Sequence, residues 1–98
     1  MASTSGRVTL GMIARVPAAG VEAFQAYEDR VLPLLADYEG ELQRRLRNED
    51  GTVELHILTF PSAEHLARFR ADPRRTEAAP LLAGSGATTE LFELDDVT

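Results

Sequence analysis

Two alternating segments, ELQRRLRN (Glu41–Asn48) and TVELHILTF (Thr52–Phe60), stand in mid-chain with only Glu49-Asp50-Gly51 between them. So short a connection suits antiparallel partners and leaves no room for a crossover, so the pair is expected to be a β-hairpin. The rest of the chain must be arranged round that hairpin. Upstream, RVTLGMIARV (Arg7–Val16) places Val8, Leu10, Met12, Ala14 and Val16 on one face, the period of a strand. Pro17 to Gly20 reads as a loop. The period then changes: Phe24, Tyr27, Val31, Leu34, Leu35 and Tyr38 recur at three and four residues, as on a helix, with Gly40 as its stop. Pro33 lies inside that stretch and should kink or reset it.

Downstream of the hairpin, Ser62 is placed to cap a helix carrying Leu66 and Phe69, and Asp72-Pro73 to start a second helical piece. AGSGA is expected to loop out before the last strand, TTELFELD (Thr88–Asp95). No internal repeat or low-complexity segment interrupts this order. The sequence therefore predicts a single α+β domain over residues 7–98, behind a flexible tail of residues 1–6. Its order is βαββαβ, the ferredoxin-like arrangement, with a four-stranded antiparallel sheet and both helices on one face.

The two sheet faces carry the functional expectation. If Val8, Leu10 and Met12 meet the helices together with Val53, Leu55 and Ile57, the open face carries Ile13, Leu58 and Phe60. Arg15, Arg45, Arg47, Glu54 and His56 would join them there. Both Leu91 and the Phe92/Leu94 pair are apolar, so the last strand does not declare its face. An open face this apolar calls for a partner, and a homodimer closing sheet against sheet is expected.

Composition narrows the function classes. There is no cysteine, which removes disulfides, thiolate catalysis and cysteine-ligated zinc, and no lysine for a Schiff base. A net charge of −6 opposes binding to nucleic acid or to an anionic membrane surface. The opening MASTSG lacks the basic and apolar regions of a signal peptide, and no apolar run approaches a membrane span. A cytoplasmic location is the expectation.

His56 is the candidate catalytic residue, because imidazole titrates near neutrality and Glu54 shares its face two residues away. Arg15, Arg45, Glu54 and Phe60 are the substrate-binding candidates; either arginine is suited to a two-pronged hold on a carboxylate or an enolate oxygen. The competing reading is an interface histidine hydrogen-bonded across a dimer. His65 reads as a solvated helix residue, and with His56 it shows no metal-ligand spacing, so neither a metal nor a cofactor is expected. Tyr27 and Tyr38 read as core aromatics. Arg68, Arg70, Arg74 and Arg75 read as surface partners of Glu64, Asp72 and Glu77. No glycine-rich phosphate loop follows a strand, and Ser62 lacks the glycines of a nucleophile elbow.

AFQAYEDRVLPLLADYEGEL followed by ILTFPSAEHLARFRADP resembles small uncharacterised proteins of the dimeric α/β-barrel superfamily, relatives of antibiotic-biosynthesis-monooxygenase-like and NIPSNAP-like proteins. The resemblance rests on Tyr38 with Gly40, on Phe60-Pro61-Ser62, on Phe69 and on Asp72-Pro73, and covers residues 7–95. Arg74-Arg75 stand where Glu-Tyr is common, and Glu39 where a second glycine is common. The resemblance implies the dimeric barrel. It leaves two functions open: a cofactor-independent monooxygenase, cyclase or isomerase acting on a small metabolite, or a non-enzymatic dimer that binds a small ligand or a protein.

Overall fold

A computed structural model describes residues 6–97. The expected tail, residues 1–6, lies outside the described residues except for Gly6. Strand β1 (Val8–Arg15) is followed by a short 3-10 turn, Ala18–Gly20, and helix α1 (Val21–Val31). The helix does not continue past Pro33: a 3-10 segment, Leu32–Tyr38, replaces it, with the proline in its first turn where a missing N–H costs least. The hairpin strands are β2 (Glu41–Arg47) and β3 (Val53–Phe60). Helices α2 (Ala63–Arg70) and α3 (Pro73–Ser85) lead to β4 (Thr88–Leu94). The sheet is antiparallel throughout, in the order β2-β3-β1-β4, so the fold is the ferredoxin-like βαββαβ α+β unit. No helix among the described residues is long and apolar enough to cross a membrane.

Both downstream caps form as expected. Ser62 Oγ accepts from the His65 amide at 3.2 Å, and Asp72 Oδ1 accepts from the Arg74 amide at 2.8 Å. Two local expectations are corrected. The left-handed residue that ends the Leu32–Tyr38 segment is Glu39 (φ 57°), not Gly40. Gly40 is required instead for close approach, since a Cβ there would lie 2.7 Å from the Phe60 ring. Helix α3 also runs through most of AGSGA and stops only at Gly86 (φ 73°).

The larger correction concerns the faces. Antiparallel register pairs Leu10 with Leu58, Met12 with His56 and Ala14 with Glu54. Val8, Leu10, Leu58 and Phe60 then pack in one core with Val31, Leu34, Leu35, Phe69 and Ala78 from the helical layer. Glu54, His56, Leu58 and Phe60 therefore face the helices, and Val53, Leu55 and Ile57 occupy the open face, the reverse of the expectation. A shift of one residue in parity moves a whole strand's side chains. On β4, Phe92 and Leu94 pair with Gly11 and Thr9 on the open face, whereas Leu91 pairs with Met12 on the helical side. A Cβ on Gly11 would meet Leu94 Cδ1 at 2.9 Å and Ile57 Cδ1 at 3.9 Å, which places all three on one surface.

The helical layer closes tightly where α1 begins and α3 ends. A Cβ on Gly20 would lie 1.8 Å from the Ser85 carbonyl oxygen, which is backbone and cannot swing aside. Gly20→Ala is expected to cost about 1–3 kcal/mol in denaturant unfolding, the range for overpacking. An unchanged midpoint would mean that the two helix ends are looser than they stand here.

Candidate functional site

Helix α1 turns Phe24, Glu28 and Val31 onto one buried stripe, at spacings of four and three. That stripe lowers the Glu28 carboxylate onto the sheet, over Glu54 and His56. All three polar side chains are buried, at 3%, 1% and 3% exposure. Register brings two more: Arg45 pairs with His56 and Arg47 with Glu54. Burial on this scale is tolerated only for groups that satisfy one another.

His56 Nε2 lies 2.6 Å from Glu54 Oε2 and 3.0 Å from Glu28 Oε2. A carboxylate accepts, so Nε2 carries the hydrogen and donates to Glu54. Glu28 Oε2, close as it is, makes no hydrogen bond of acceptable geometry and is buried without one. Arg45 Nε donates to Glu54 Oε2 at 3.0 Å, and its terminal nitrogen reaches Glu28 Oε1 at 3.1 Å. Arg47 Nε donates to Glu54 Oε1 at 2.7 Å. Two guanidiniums thus balance two carboxylates, and protonation of His56 takes the group from neutral to singly positive.

The environments push the three titrations apart. Burial drives the Glu28 carboxyl above its ordinary value, with the neighbouring Glu54 charge adding to the effect against the pull of His56. Burial opposes ionisation of Glu54 as well, but the Glu28 carboxyl, which keeps the proton of the pair, and hydrogen bonds from His56, Arg47 and Arg45 outweigh it and hold the pKa at about 2. Burial would depress His56, yet the Glu28 and Glu54 carboxylates close to its Nε2 raise it above the usual imidazole value. A permanently ionised carboxylate beside an elevated carboxyl and an elevated imidazole is an arrangement for moving a proton.

A cavity of about 190 Å³ opens over this cluster, between sheet and helices. Its wall is apolar, with Leu10, Phe24, Leu35, Leu58 and Phe69 among the lining, and Glu28 and His56 are among its polar groups. Among the described residues nothing hydrogen-bonds His56 Nδ1. Glu28, Glu54 and His56 also bring three potential metal-ligand atoms within 4.8 Å of one another. The donor set does not suit a cation: Arg45 and Arg47 already take three of the four carboxylate oxygens, and a divalent ion would sit among their charges.

Of the residues singled out in the sequence, His56, Glu54 and Arg45 come together, on the helical side rather than the open face. Phe60, 1% exposed, forms part of the cavity wall. Arg15 does not join them. It lies on the open face opposite Val53 and pairs with Glu90 in solvent, so its role as an oxyanion holder beside His56 is withdrawn. His65 is tied between Ser62 Oγ (2.7 Å) and Glu39 Oε2 (3.2 Å), outside the cavity lining. Tyr38 donates to Asp72 Oδ2 at 2.6 Å, a structural bond within a network completed by Arg74.

Three residues were missed. Glu28 had one sequence signal, a carboxylate placed on the apolar stripe of a helix. Arg70 and Arg75 were expected in surface ion pairs, as Arg68–Glu64 and Arg74–Asp72 are. Instead both line the cavity, and neither pairs with a carboxylate among the described residues.

No protein-family model matches the chain, and no curated protein matches it. Solved structures do. SnoaB, a cofactor-independent oxygenase from Streptomyces nogalater, is 20% identical with a TM-score of 0.77 over 96% of each chain. A candidate antibiotic biosynthesis monooxygenase from Caulobacter crescentus gives a TM-score of 0.71 at 13% identity, over 93% of this chain and 92% of that one. A NIPSNAP-family protein of unknown function from Agrobacterium tumefaciens gives 0.63 at 18% identity, over 100% of this chain and 97% of that one. At these identities the likeness shows the fold alone.

Proposed function

We propose that this chain is a cofactor-independent enzyme whose catalytic step is proton abstraction from a small organic substrate held in the cavity between sheet and helices. The observation that carries this reading is the buried Glu28–His56–Glu54 group at a largely apolar cavity. Oxygenation of an activated ring, cyclisation and isomerisation all begin with loss of a proton to leave an enolate or phenolate, and each needs a base in a dry pocket. His56 is the base. Glu54 holds its Nε2–H, leaves Nδ1 for the substrate and stabilises the imidazolium that forms. Glu28 is the second acid/base, lifted by burial toward the working range and able to take the proton onward. That a cofactor-independent oxygenase shares the fold supports this class over others.

The chain is proposed to act as a homodimer closed through the open sheet face. Leu46, Val53, Phe92 and Leu94 are exposed there beside Ile13, Leu55 and Ile57.

Nitrobenzisoxazole tests the base directly. Loss of its ring C–H proton to His56 breaks the N–O bond, forms a nitrile and releases a coloured nitrophenolate, with no other reactant. The protein should accelerate this elimination over buffer with saturation, and His56→Gln should lower kcat/KM by about 100- to 10,000-fold. Because the folded pKa is raised, activity should fall as pH drops through a value above 6.5. An uncatalysed rate, or one indifferent to His56→Gln, would overturn the assignment. Saturable binding without turnover would identify a ligand-binding dimer instead.

A further inference from the structure

Arg75 is the feature that proton transfer leaves unexplained. Its guanidinium lies over the Phe69 ring, 4.8 Å from the centroid, and one terminal nitrogen donates to the Arg70 carbonyl at 3.3 Å. Its Nε is buried and makes no hydrogen bond. A buried N–H of a charged group left unpaired is costly, and an acceptor supplied by a ligand would relieve that cost. Arg70 stands beside it on the cavity lining, also without a carboxylate partner among the described residues. Two uncommitted cations at one cavity are unexpected in a chain of net charge −6, where the neighbouring Arg68 and Arg74 both pair with acids.

The cavity fixes the other half of the ligand. At about 190 Å³ it is little larger than the apolar cavity of about 150 Å³ that holds benzene in an engineered core. Its wall is hydrophobic and aromatic, and Arg75 and Arg70, half-buried and exposed, mark where it meets solvent.

We propose that the cavity takes a one-ring organic carboxylate, with its ring against the apolar wall and its carboxylate held by Arg75 at the rim, supported by Arg70. This rests on the cavity being the ligand site, as in the proposed function, but not on proton transfer within it. Its position over the Phe69 ring and its bond to the Arg70 carbonyl hold the guanidinium, so a two-pronged contact requires little further ordering of the side chain.

Calorimetric titration with phenylacetate, its neutral isostere phenylacetamide and three-ring anthracene carboxylate tests this. Phenylacetate should bind about 10-fold more tightly than the amide, the gain from a charge-assisted bond, and the three-ring acid should not bind. Arg75→Gln should abolish the preference. Arg75→Lys should keep part of it, and Arg68→Gln, whose charge is committed to Glu64, all of it. Calorimetry reads the preference without turnover, so a failed proton-transfer reading and a failed anion reading give different results. Equal affinity for acid and amide in the unmodified protein would overturn the proposal, as would a preference that survives Arg75→Gln or tight binding of the three-ring acid.

Discussion

Glu54→Leu is expected to lower the free energy of unfolding by about 3–5 kcal/mol at neutral pH, the cost of removing one partner from a buried charge network. Glu54 is 1% exposed and accepts from Arg45, Arg47 and His56 together. Without it, those three groups have only Glu28 to answer them, and Glu28 already carries a buried oxygen with no hydrogen bond. A small domain is stable by only about 5–15 kcal/mol, so the variant should unfold at low denaturant or fail to accumulate. Glu90→Ala provides the contrast. It breaks the solvent-exposed pair with Arg15 and should cost at most about 1 kcal/mol. Comparable losses in the two variants would show that the network is not held as its distances imply.

The same network sets the pH window of that difference. Glu54 is depressed to about 2, so its contribution is present above 4.5 and is lost as pH falls toward 2. His56 is raised, so its contribution is complete below 6.5 and is lost as pH climbs through its folded value. Glu28, also raised, contributes below 4.5 and costs stability as it ionises above that. Urea unfolding at stepped pH should therefore show the gap between the unmodified protein and Glu54→Leu shrinking steadily on the acid side. A gap that is flat from pH 7 to pH 3 would contradict the assignment of Glu54 as the ionised carboxylate.

Which parts of this arrangement could be read in advance follows from how local their causes are. Ser62 and Asp72 cap helices through bonds to amides two or three residues away, and Pro33 ends a helix through its own ring, so all three were legible. The face of β3 was not. Val53, Leu55 and Ile57 are apolar at one parity, while Leu58 and Phe60 are apolar at the other beside Glu54 and His56. Keeping charges outward is the sound default, and it fails here because Arg45, Arg47 and Glu28 meet those charges inside. Arg45 is nine residues away and Glu28 arrives from another element, so no window along the strand contains the compensation. Arg75 was misread for the same reason: acids near it in sequence do not reach it in space. Composition and order thus determined the architecture, while the site depended on pairings made across the sheet.

The second large effect concerns the surface those pairings leave uncovered. Ile57 lies at the middle of the open face, between Arg44 on one side and Gly11 with Phe92 on the other. Phe92 and Leu94 remain 45% and 41% exposed, Leu46 and Val53 44% and 39%. Apolar area this continuous is rare on a monomer, and a second copy is the occupant that offers a matching apolar sheet by symmetry. In a twofold dimer each substitution is present twice, and in Ile57→Asp both carboxylates lose water in the contact. A central contact of this kind is worth about 2 kcal/mol or more in each copy, so the variant, with two, should raise the dimer dissociation constant by roughly 1,000-fold. The monomer fold should be retained, because the side chain becomes solvated once the partner leaves. Sedimentation across a concentration series reads both quantities. A protein that stays monomeric at every concentration, or an Ile57→Asp dimer as tight as the original, would mean that this face is covered by something other than a second copy.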